Sequence, residues 1–181
     1  MNPDPGWLLT REASWVNHST LVAWWFTFLG YAYALGPMCV VLLVLAWRFP
    51  QWRWRILFSV VMLVASWQSA DFFQHFFARP RRLDWVVRHE TAYGFPSSHA
   101  AIATGFYLLW SVFLWRSALR GRAGWAVLVS ALAVGIMWSR LALGAHYLTD
   151  VLAGAILAAA IVALGAALVP INVFARTAGR P

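Results

Sequence analysis

Five apolar runs, separated by short links that carry most of the charge, leave this chain few ways to fold. They extend from about Leu21 to Trp47, Trp54 to Phe77, Ser97 to Trp115, Ala123 to Leu143 and Tyr147 to Val169. A helix needs about 20 such residues to cross the ~30 Å hydrocarbon layer. Inside lipid every backbone N–H and C=O must be paired within the protein, which leaves helices and closed barrels. The runs lack the period-2 alternation of a barrel strand, so the expected fold is all-α, a polytopic transmembrane helical bundle. Only 11% of the residues are charged, against roughly 25% in soluble domains. We expect a single membrane domain over residues 1–181 with five spans, or six if the first run is split or the N-terminal segment counted. That first run would reach ~40 Å at ~1.5 Å per residue, and Gly36-Pro37 is expected to kink it.

The charges orient the bundle. All 14 Lys+Arg residues are arginines and the formal net charge is +8. In the five-span order, the Arg48–Arg55 link, the Arg116–Arg122 link and the tail with Arg176 and Arg180 fall on one side. The positive-inside rule makes that side cytoplasmic. This topology accounts for the basic balance, so no nucleic-acid partner is implied. The N-terminal stretch with Asp4, Arg11 and Glu12, the 79–96 loop and the turn before His146 then face outward. No basic n-region precedes the first run, so a cleavable signal peptide is not expected. Within residues 1–20, a short interfacial helix is expected over 6–18, with Trp7 and Trp15 at headgroup level. Cys39 lies inside an apolar span, as a packing residue. Gly154, Ala158, Gly165 and their small neighbours suit close helix packing. Nothing in the sequence reads out an oligomeric state.

Three polar clusters meet on the outer side: Arg79-Pro80-Arg81, Pro96-Ser97-Ser98-His99, and the run Ser139–Asp150, SRLALGAHYLTD. In the last, Arg140 leads His146 by six positions and Asp150 follows it by four. If the chain is helical from His146, the imidazole and the carboxylate share a face. Ionisable groups at a membrane edge are costly to place and mark function by default. Two clusters open helices, whose free N–H groups and positive dipole end favour an anion. Arginine forks match phosphate oxygens, and two histidines supply a nucleophile and an acid. No metal-ligand set of usual spacing accompanies them. Arg81, Arg82 and Arg88 run against the orientation rule, as anion ligands or as surface charges meeting headgroups. Asp71 and Gln74 are expected near the outer end, satisfying neighbouring groups.

The ordered set RP, PSSH and SR-x5-H-x3-D resembles the signature of the type 2 phosphatidic acid phosphatase superfamily. The resemblance implies that His146 attacks phosphorus to form a phosphohistidine, that Asp150 orients His146, and that His99 protonates the leaving oxygen and then activates water. It implies that Arg79 and Arg140 bind the equatorial oxygens and that Ser97 and Ser98 add donors. Cofactors are none, and no metal is implied. Two positions depart from the family pattern. The lysine usual seven residues before the Arg-Pro arginine is Phe72 here, and Ser98 stands where glycine is commoner. His75, Arg81 or Arg82 is expected to stand in for the lysine, with Asp71 beside His75 favouring a protonated ring. The implied activity is dephosphorylation of a membrane lipid phosphate or diphosphate, with a polyprenyl (undecaprenyl) diphosphate favoured and the site facing the outside of an inner membrane. The alternatives are a phosphatidylglycerophosphate or phosphatidate phosphatase, a lipid phosphotransferase, and a non-catalytic lipid-binding membrane protein.

Overall fold

The computed structural model describes residues 18–80, 93–169 and 174; nothing further is said of the structure of the others. Among the described residues there is no strand. The helices are α1 (His18–Phe28), α2 (Ala32–Arg48), α3 (Arg53–Phe77), α4 (Ser98–Trp115), α5 (Arg122–Ala142) and α6 (Leu148–Leu168). A short 3₁₀ turn, Pro50–Trp52, leads into α3. Four of them, α3 to α6, are long and apolar enough to cross a membrane, and the bent pair α1 and α2 adds a fifth when counted as one span. The interfacial segment expected over residues 6–18 lies almost wholly outside the described residues.

The first span breaks where the sequence did not announce it. Gly36 and Pro37 sit inside an uninterrupted α2. Pro37 falls in the second turn, where its missing N–H costs a single helical bond. The 47° bend lies between Phe28 and Ala32. There the N–H groups of Leu29, Gly30 and Tyr31 turn back to Phe26, Thr27 and Phe28, three residues earlier. This tightening ends α1, and α2 restarts at Ala32 in a new direction. At the break, Gly30 packs against the ring of His99, far along the chain.

The third span, α4, is the central helix. Over half of its window is buried, 56%, against 17% for α6. Ile102, Ala103, Phe106 and Tyr107 of α4 meet Leu35 of α2, Leu63 of α3, and Ala133 and Ile136 of α5. Lower down, Leu109 and Phe113 meet Phe58 and Met62 of α3. Midway, Ala103–Leu108 widens into a π-helical turn, a form that occurs mostly as a single-turn bulge within an α-helix. Gly105 lies there against Ser66 of α3 with no room for a Cβ. The outer helices carry exposed apolar side chains such as Val61, Val127, Ile156 and Leu164. Such a surface is costly in water and matched to hydrocarbon. The arginines of the 48–55 and 116–122 links lie at one end of the bundle, where Arg55 stacks over Trp52 and Phe113. The motif residues cluster at the other.

Candidate active site

Three helix ends build this region. Helix α3 stops because Ala78 takes a left-handed conformation (φ 45°) while its N–H still reaches the Gln74 carbonyl. That geometry is strained for a residue with a Cβ, and it swings Arg79-Pro80 off the helix axis. The Arg79 carbonyl then receives the Gly94 N–H at 2.9 Å, pinning together the two ends of the 79–96 loop. Gln74, buried on the inner face of α3, donates to the Pro96 carbonyl at 2.7 Å.

Helix α4 opens on Ser97, whose hydroxyl accepts the Ala100 N–H in the N-cap position. The Ser97 N–H itself donates to the Asp150 carbonyl at 2.9 Å, tying the start of α4 to the start of α6. Gly154, one turn further along α6, allows that approach, since a Cβ there would overlap the Ser97 carbonyl oxygen. Ser98 is half-buried beside it.

Arg140 ends α5, fully buried. Its carbonyl accepts the N–H groups of Ala145 and His146, closing a turn through Gly144, which has φ 67°. The chain then enters α6 at Tyr147, and Asp150 occupies the third position of the helix. One Asp150 oxygen accepts the Tyr147 N–H at 2.9 Å. The other takes the Arg79 guanidinium at 2.9 Å. A carboxylate in the first turn is also favoured by the helix dipole.

The His146 ring is buried. Its Nδ1 lies 2.8 Å from the Gly94 carbonyl and 3.6 Å from Asp150 Oδ2. A carbonyl only accepts, so Nδ1 carries the proton and donates, which in the neutral ring leaves the lone pair on Nε2. The family resemblance implied that Asp150 orients the ring, and the spacing put the two on one face. In the structure the Gly94 carbonyl makes the hydrogen bond, and Asp150 stands behind it as a nearby negative charge. The Arg79 guanidinium also stacks 4.8 Å from the Tyr147 ring centroid.

The break between α1 and α2 supplies a wall that the motifs do not contain. Thr27, fully buried, accepts a hydrogen bond from Arg140 at 2.9 Å and shares another with Ser139 at 2.9 Å. Gly30 lies against the buried His99 ring, and a Cβ there would overlap His99 Cδ2. Tyr31 meets the same ring edge-on, 4.8 Å between centroids. One five-residue stretch therefore holds both Arg140 and His99.

Arg79, Ser97, His99, Arg140, His146 and Asp150 are thus brought to one end of the bundle through direct contacts or shared neighbours. His75 is not. Its side chain is 66% exposed, and its neighbours are Asp71 on its own helix and Tyr93. Phe72, at the position of the family's lysine, is exposed and stacked on Phe76. Position 72 and His75 lie on the outside of α3, while Gln74 turns inward. Arg81, Arg82 and Arg88 lie outside the described residues. Among the described residues, no three His, Cys, Asp or Glu side chains form a group able to hold a metal ion. Sequence reasoning missed Thr27 and Gly30, although a lone threonine and a glycine in an otherwise apolar run were visible. It noted Gln74 without a target, and nothing local marked the Gly94 carbonyl.

Comparison with known proteins agrees with this layout. No curated protein matches the chain at significant similarity. The crystal structure of a transmembrane PAP2-type phosphatidylglycerolphosphate phosphatase from Bacillus subtilis superposes with a TM-score of 0.71 at 22% identity, over 86% of this chain and 79% of that one. At that identity the likeness is one of fold. The sequence model of the PAP2 superfamily matches residues 29–174, a segment that holds all three motif clusters, and this multi-pass membrane chain therefore belongs to the PAP2 superfamily.

Proposed function

We propose that the chain hydrolyses a lipid phosphate at the membrane surface through a phosphohistidine on His146. The observation that carries this reading is the 2.8 Å contact between His146 Nδ1 and the Gly94 carbonyl. It favours the tautomer with the proton on Nδ1, in which Nε2 serves as the nucleophile. In the first step Nε2 bonds to phosphorus while the bond to the leaving oxygen breaks, and His99 gives that oxygen its proton. The ring becomes cationic, and Asp150 at 3.6 Å offsets the charge. In the second step water adds to phosphorus, the N–P bond breaks, and His99 takes the water proton. Arg140, the N–H groups opening α4 and Arg79 meet the charge on the three equatorial oxygens. Ser97 and Ser98 border the same helix start. Arg79 shares its guanidinium with Asp150 in the resting site, so it couples phosphate binding to the charge beside His146.

The favoured substrate is a polyprenyl diphosphate, with the site on the outer face of an inner membrane, the orientation set by the arginine-rich links. Phosphatidylglycerophosphate is the second reading, supported by the fold shared with the Bacillus subtilis enzyme. Purified full-length protein is to be offered polyprenyl diphosphate, phosphatidylglycerophosphate and phosphatidate in EDTA. Phosphate release from at least one of them, abolished in His146→Ala, is expected. No release from any lipid would refute the hydrolase reading and leave a lipid-binding protein.

A further inference from the structure

A second recess lies at the opposite end of the bundle, between the last turns of α4 and the first turns of α5. It is a cavity of about 550 Å³ lined by Ser111, Trp115, Arg116, Ala126 and Ser130, with Val112 and Val127 as walls. That volume is in the range of small-molecule sites. The recess is open on the side where Val112, Trp115 and Val127 are exposed, so it faces lipid rather than the protein interior.

Its floor is polar. The Ser111 hydroxyl donates to the Ala126 carbonyl at 2.9 Å and lies 2.7 Å from Ser130 Oγ. Since a hydroxyl has one proton and the carbonyl takes that of Ser111, the second bond is donated by Ser130. Arg116 forms the rim just past the end of α4, about 7.5 Å along the helix axis from Ser111 at ~1.5 Å per residue.

The charge around the recess is one-sided. No Asp or Glu occurs between Glu12 and Asp71, between Glu90 and Asp150, or after Asp150. The sequence near this end nevertheless supplies Arg48, Arg53, Arg55, Arg116, Arg120 and Arg122.

We propose that this recess binds the phosphate of an anionic diacyl phospholipid from the leaflet at the arginine-rich end. Arg116 pairs with the phosphate, Trp115 sits at the interface, and the acyl chains run along Val112 and Val127. Basic recesses between spans hold anionic headgroups in this way, and the lateral opening with apolar walls selects a lipid over a soluble phosphate. The site is remote from His146 and does not rest on the proposed hydrolysis.

The test is lipid retention by the full-length protein, read by native mass spectrometry after transfer from phosphatidylcholine bilayers with or without phosphatidylglycerol. Neither lipid is a phosphomonoester. Wild type is expected to retain phosphatidylglycerol over phosphatidylcholine, and Arg116→Gln to reduce that preference about fivefold, the weight of one arginine at a membrane surface. Arg120→Gln, which changes the same link outside the recess, is expected to leave it unchanged. Ser130→Leu fills the recess while keeping every arginine, and is expected to match Arg116→Gln. Equal retention of the two lipids by wild type, or equal losses in Arg116→Gln and Arg120→Gln, would overturn the proposal. So would unchanged retention in Ser130→Leu, or displacement of the lipid by millimolar inorganic phosphate.

Discussion

Thr27 lies more than a hundred residues from Arg140 in sequence, and replacing it with valine isolates what it contributes. The side chains are nearly isosteric and both stiff at χ1, so packing among the buried neighbours is kept. What goes is the 2.9 Å hydrogen bond from the Arg140 guanidinium and the 2.9 Å bond that Thr27 shares with Ser139. Ser139 retains its bond to the Ile136 carbonyl at 2.7 Å, so the charged group bears the larger loss. Hydrogen bonds to charged groups contribute about 1.5–3 kcal/mol. If Thr27 serves to aim Arg140 at the phosphoryl oxygens, that amount appears in transition-state binding as a drop in kcat/KM of roughly ten- to a hundredfold. The assay is phosphate release from the preferred lipid, alongside inhibition by orthovanadate, which should weaken in parallel. Thr27→Ser restores the hydroxyl and is expected to recover most of the activity. A Thr27→Val protein with lowered Tm but kcat/KM within about twofold of wild type would refute the reasoning, because Thr27 would then be a packing residue only.

Three other substitutions probe the same end of the bundle. Gly30→Ala places a Cβ into the His99 ring; a displaced general acid should lower kcat on the order of a hundredfold with little change in KM, and wild-type kcat would show that the ring does not depend on this wall. Gly154→Ala drives a Cβ into the Ser97 backbone carbonyl, which cannot turn aside; a loss of about 1–3 kcal/mol of stability, read as a lower Tm, should accompany lost activity. His75→Ala, at an exposed side chain, should leave activity and phosphate inhibition within about twofold of wild type, since surface substitutions cost little; a tenfold loss would make it the missing phosphate cation.

The spans were legible because lipid leaves the backbone no alternative to helices, and the boundaries of α3 to α6 follow from apolar length, Arg-Pro and the polar turns. The motif histidines and arginines were legible because charged groups at helix ends in a membrane have few other uses. The scaffold that aims them was not. Gly36-Pro37 looked like the natural kink, yet the bend occurs at Gly30, where the constraint is the His99 ring from a helix far along the chain. The carbonyl that fixes the His146 tautomer belongs to Gly94, and every residue has a carbonyl, so no sequence pattern marks it. His75 was expected to stand in for the missing lysine, yet it lies on the outer face of α3, because α3 stops at Phe77 and the left-handed Ala78 swings Arg79 off the helix axis. Gln74, whose polar side chain faces inward, makes the connection across to the second motif.

The central claim is a covalent phosphoryl group on His146 Nε2, and chemical quench of the working enzyme tests it most directly. Full-length protein mixed with its lipid phosphate and quenched in alkali, where phosphohistidine survives, is to be digested and its peptides examined by mass spectrometry. A phosphoryl group on the His146 peptide, formed at least as fast as turnover and absent from His146→Ala, is the predicted result. Steady hydrolysis with no such adduct, or with an adduct on another residue, would contradict the mechanism.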